Sequence, residues 1–133
     1  MSVAASAAMR SAETFVPVLE ASVLSELQTL GLDVVAEIFD VFLADVPSRL
    51  VNLRQAVDDR LLDLLLREAH GLKGSALGIG AFRLASLCAA IEHDARDGHL
   101  DRAAARSSEL ESQFAEVRTA LDDVRAGLRA TQA

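Results

Sequence analysis

A histidine, a lysine and a glycine at positions 70, 73 and 74 are the residues of this chain whose types and spacing suggest chemistry. An imidazole has a pKa of about 6.5 and is largely neutral at cellular pH, so a ring nitrogen is free to attack phosphorus. Lys73, three residues on, shares a helix face with His70 and lies within reach of a group attached to the ring. It is the one lysine in a chain with twelve arginines. Arginine imposes a planar fork, whereas lysine is a compact charge on a flexible stem that can follow a phosphoryl oxygen as it moves. Gly74 stands one turn beyond His70, where a glycine costs about 1 kcal/mol relative to alanine in a helix interior. Clearance is the simplest reason for it: no side chain obstructs a bulky group on the imidazole or the backbone of an approaching partner.

These residues need a helix to hold them. On a wheel at about 100° per residue, Leu61, Leu62, Leu65, Ala69, Leu72 and Ala76 gather on the core side. His70 faces outward, with Asp63, Leu66, Arg67, Lys73, Gly74 and Leu77 around it. Two leucines on an outward face suggest a docking surface, so Leu66 and Leu77 are expected to receive a partner together with Arg67 and Arg83. From Arg67 to Leu87 there are three basic residues and one acid, a local +2 that leaves −9 on the rest of a chain of net charge −7. Such a patch would steer the protein toward a partner with an acidic site.

The surrounding elements read as five helices. Apolar positions recur at helical spacing from residue 17 almost to the end, with Gly and Asp at the breaks. The first helix is expected from Pro17 to Leu30, with Gly31 as its cap, closing one end of a bundle. The second carries Val35, Ile38, Phe39, Phe42, Val46, Leu50, Leu53 and Val57. Pro47 must kink it or begin a new helix, and the unbroken phase of the stripe favours a kink. The third is expected over Asp59 to Leu77 and the fourth over Ala81 to Asp97, with Gly78 and Gly98 as left-handed caps. The fifth runs from Leu100 to Leu128, its seam formed by Leu110, Phe114, Val117, Leu121, Val124 and Leu128. The expected fold is therefore all-α: an antiparallel up-down four-helix bundle over residues 17–130 with a short additional N-terminal helix, preceded by a flexible Ser/Ala-rich tail at 1–16.

Composition agrees with this picture. The chain has 133 residues, enough for one core, with 51% hydrophobic and 4% aromatic residues. The net negative charge argues against nucleic acid and anionic membranes as partners, and no apolar run reaches the ~20 residues of a membrane span. A single cysteine, Cys88, excludes an internal disulfide and suits a reducing cytoplasm. It falls on the core face of the fourth helix beside Leu84, Leu87 and Ile91, as a small buried hydrophobe. His93 and His99 read as ordinary surface residues. Glu92, His93 and Asp94 point in different directions along their helix, so no metal site is expected.

The run Ala69-His70-Gly71-Leu72-Lys73-Gly74-Ser75-Ala76, followed by Gly80-Ala81 and then Leu84, Leu87, Cys88 and Glu92, resembles the signature of histidine phosphotransfer (HPt) domains. The resemblance extends from about Leu19 to Val124. It implies a four-helix bundle in a multistep phosphorelay, with His70 as phosphoacceptor, Lys73 stabilising the phosphoryl group and Gly74 giving access. It also implies receiver domains and a hybrid histidine kinase as partners, with the acceptor aspartate and the magnesium ion supplied by the receiver. No cofactor of its own is expected, and the chain reads as a monomeric carrier rather than an enzyme, lacking a nucleotide-binding glycine loop and a catalytic carboxylate cluster. The rival reading is a helical binding module that docks on a regulator or kinase without carrying phosphate; an intact His70, Lys73 and Gly74 argue against it.

Overall fold

A computed structural model describes residues 16–132, which among themselves form helices and turns with no strand. The helices are α1 (Ala21–Gln28), α2 (Leu32–Asp58), α3 (Leu62–Gly78), α4 (Phe82–Arg96), α5 (Leu100–Ser107) and α6 (Leu110–Gln132). The tail expected at 1–16 lies outside the described residues except for Val16. One core unites the four long helices. Phe39, Phe42, Val46 and Leu53 of α2 meet Leu65 and Leu72 of α3, Leu84 and Ile91 of α4, and Leu110, Phe114 and Leu121 of α6. Helix α3 packs along both α2 and α4, which makes it the stave that carries His70 between two neighbours. Helix α2 continues through Pro47 as one element, so the proline does not start a new helix.

Several boundaries differ from the sequence expectation. The first helix begins at Ala21, not Pro17: the Glu20 N–H is spent on the Gly80 carbonyl at 2.8 Å, and Glu20 itself is extended after a bend at Val18 and Leu19. Val18, Leu19, Leu24 and Leu27 pack onto the core, so this segment does close one end of the helices. The third helix starts at Leu62, not Asp59, and Leu61 and Leu62 are exposed rather than in the core. Leu61 is the residue before the first turn, with an extended backbone that takes its side chain off the helical wheel. The fifth helix is two helices, α5 and α6. Ser107 and Ser108 turn their hydroxyls back onto the carbonyls of Ala103 and Ala105, an alternative to continued helix pairing, and the chain bends there.

Three helix ends share one device. The amides of Leu61, Ala81 and His99 each bond, at 2.8 Å, the carbonyl five residues back, closing a left-handed turn. The left-handed residues are Arg60 (φ 52), Gly80 (φ 79) and Gly98 (φ 82). The cap after α3 is thus Gly80, not Gly78, which ends the helix itself. Arg60 bears a Cβ where the other two turns have none. Arg60→Gly is expected to stabilise the protein by up to about 1 kcal/mol, measured by urea denaturation, since its contact with Asp101 is exposed and contributes little.

Candidate phosphotransfer site

His70 sits midway along α3 with its side chain 67% exposed. Leu65, Ala69, Leu72 and Ala76 turn inward around it and are buried, which fixes the rotation of the helix and holds the imidazole outward. The ring is anchored at one side. Its Nδ1 lies 3.3 Å from Oε2 of Glu92, a carboxylate on α4 that is only 2% exposed.

Glu92 gathers three cationic or potentially cationic groups. Lys73 Nζ stands 2.8 Å from its Oε1 and forms an ion pair with it. Arg96, one turn along α4, donates to Oε2 at 3.0 Å. Burial works against ionisation of Glu92, but its contacts with Lys73 and His70 outweigh burial and hold the carboxyl below the usual glutamate range. An ionised acceptor facing Nδ1 selects the tautomer in which Nδ1 carries the proton. The Nε2 lone pair is then left for an incoming electrophile.

Lys73, 28% exposed, is therefore tethered beside His70 rather than free in solvent. Gly74 is open: a Cβ placed there would meet nothing within 4 Å. The four residues expected to dock a partner are not equivalent. Leu77 is 48% exposed and Arg67 stands out from the surface, whereas Leu66 is partly buried against the core and Arg83 is held near Glu116 of α6 at 3.5 Å. The local net charge stays at +2, because folding adds Glu92 with Arg96 from α4 and Asp45 with Arg49 from α2 as pairs of opposite sign. Cys88 is buried on the core side, and burial pushes its thiol up to about 12, so it is inert at neutral pH. His93 is exposed beside Asp97 and His99 precedes α5.

Glu92 closes the signature read in the sequence but receives no role there; its contact with His70 is seen only in the structure. Its signal was present: it follows Leu84 and Cys88 at four-residue steps, an acid in phase with an apolar stripe.

With this geometry in place, comparison with known proteins gives one consistent result. The Hpt domain family model matches residues 37–127. The crystal structure of histidine-containing phosphotransfer protein B (HptB) from Pseudomonas aeruginosa PAO1 superposes with a TM-score of 0.76 at 34% sequence identity, covering 83% of this chain and 96% of that one. A comparison with curated protein sequences found no match. The chain belongs to the histidine phosphotransfer family, whose members carry phosphoryl groups in phosphorelays between receiver domains and histidine kinases. No helix of the described residues is long and apolar enough to cross a membrane.

Proposed function

We propose that His70 receives a phosphoryl group on Nε2 from the aspartyl phosphate of a receiver domain and passes it to the aspartate of another. The observation that carries this reading is the exposed imidazole whose Nδ1 faces a buried, ionised Glu92 while the space over Gly74 stays open. In the forward step the Nε2 lone pair forms the N–P bond as the P–O bond to the donor aspartate breaks. The carboxylate leaves with the electron pair. The ring becomes cationic with its Nδ1 proton retained toward Glu92, and Lys73 is placed to pair with the phosphoryl oxygens. Onward transfer reverses these bonds.

The finer reading is a monomeric, cytoplasmic carrier without catalysis of its own, arranged over residues 17–130 as an up-down four-helix bundle of α2, α3, α4 and α6. The short turns joining α2 to α3 and α3 to α4, together with their side-by-side packing, support that arrangement. Magnesium and the acceptor carboxylate belong to the receiver, and a hybrid histidine kinase is the upstream source. Leu77, Arg67, Leu66 and Arg83 form the surroundings on which the receiver docks. Incubation with a panel of phosphorylated receiver domains tests the reading through transfer of radiolabel to this chain. Labelling by at least one is expected; labelling by none would favour a binding module that carries no phosphate.

Gly74→Ala separates access from coincidence. Because the position is open and helical, alanine should stabilise the helix by up to about 1 kcal/mol. Transfer should nevertheless slow, since a methyl group one turn from His70 intrudes where the donor must align, and misplacement of about 1 Å can cost on the order of a hundredfold. The measurement is a melting curve paired with a single-turnover rate. A more stable variant that transfers at the wild-type rate would remove the access role from this glycine.

A further inference from the structure

Immediately after His70 stands Gly71, and the reason for it lies on another helix. A Cβ built there would stand 2.7 Å from Cζ and 3.1 Å from Nη2 of Arg49, so the guanidinium covers the backbone of α3 next to the phosphoacceptor. Arg49 comes from α2 and is fixed from two directions. Its Nε donates to Asp45 at 2.7 Å and its Nη1 to Glu68 at 3.2 Å, the latter carboxylate being nearly buried. Nη2 has no partner among the described residues, and the side chain remains 27% exposed. The same guanidinium borders an open groove of about 410 Å³ that also includes Val41, Gly74 and Gly78, which places it on the flank of His70 opposite Lys73 and Arg96.

We infer that Arg49 is a further residue of the transfer site, a preset cation whose Nη2 engages an anionic oxygen of the docked receiver from the α2 side, and that Gly71 is there to leave room for it. The inference rests on the phosphotransfer reading. An incoming receiver brings carboxylates and a phosphoryl group, and on the α4 side Lys73 and Arg96 already share Glu92. On the α2 side the corresponding charge is Arg49, ordered before the partner arrives, so that little rotamer entropy is lost when it bonds. The anionic oxygen belongs either to the receiver's acidic pocket or to the phosphoryl group in flight.

The test is single-turnover transfer from a phosphorylated receiver that labels the wild-type chain, at varied receiver concentration, for Arg49→Gln, Gly71→Ala and the double variant. Arg49→Gln should lose roughly tenfold in transfer efficiency, the loss of one charge-assisted hydrogen bond. A loss in half-saturation assigns the oxygen to the receiver's carboxylates, and a loss in the rate at saturation assigns it to the phosphoryl group. Gly71→Ala keeps every charge and displaces only the flexible end of Arg49, so it tests the same contact where Arg49→Gln disturbs folding. It should slow transfer when Arg49 is present and add nothing when Arg49 is absent. Wild-type kinetics in Arg49→Gln, or an equal effect of Gly71→Ala in both backgrounds, overturns the inference while leaving the phosphotransfer reading intact. Failure of every receiver to label the wild-type chain would overturn both.

Discussion

His70→Gln is expected to abolish labelling by every phosphodonor while leaving the melting curve of the protein nearly unchanged. The side chain is two-thirds exposed and contributes little to the core, so the stability change should stay within about 0.5 kcal/mol. Glutamine is the suitable replacement because its amide N–H can donate to Glu92 where Nδ1–H does, and Glu92 keeps Lys73 and Arg96 in any case. The wild-type label should be acid-labile and comparatively base-stable, since protonation of the ring nitrogen weakens a phosphorus–nitrogen bond to imidazole. Residual label on His70→Gln, or a label with the acid stability of a phosphoserine at Ser75, would show that the phosphoryl group resides elsewhere.

What the sequence makes legible here is what one helix decides by itself. The rotation of α3 follows from the spacing of Leu65, Ala69, Leu72 and Ala76, and with it the outward placement of His70 and Gly74. Groups that reach this stretch of α3 from other helices are not legible in the same way. Glu92 is 22 residues away and Arg49 bonds to Glu68 across 19 residues, so both contacts depend on how α4 and α2 pack on α3. Helix ends fail for a different reason. Gly78 and Gly80 are equally able to adopt a left-handed turn, and the choice is made by the Ala81 amide reaching the Ala76 carbonyl. The break between α5 and α6 rests on two serine hydroxyls that compete with the backbone, too weak a signal against an apolar seam that continues beyond it.

Glu92→Ala is expected to slow phosphotransfer by roughly ten- to a hundredfold without unfolding the protein. The carboxylate holds the Nδ1 proton in place and faces the ring as it becomes cationic, and a hydrogen bond to a charged group contributes about 1.5–3 kcal/mol, where about 1.4 kcal/mol is tenfold in rate. Folding survives because Lys73, Arg96 and His70 all reach solvent once the carboxylate is gone, so no cation is left buried and unpaired. The variant should also change the acid branch of the stability profile. Glu92 titrates below its unfolded value in the folded protein, so its contribution to stability is complete above the ordinary glutamate pKa of about 4.3 and is lost as pH falls through the lower folded value. Glu92→Ala removes that loss, and its melting temperature should fall less steeply than the wild type's below pH 4.3. Glu92→Gln separates the two roles: it retains an oxygen to accept from Nδ1–H but not the charge, and should transfer at a rate between those of the wild type and the alanine variant. Glu92→Ala transferring at the wild-type rate would show that the tautomer of His70 is set without this carboxylate, and that the exposed ring needs no partner on its inner side.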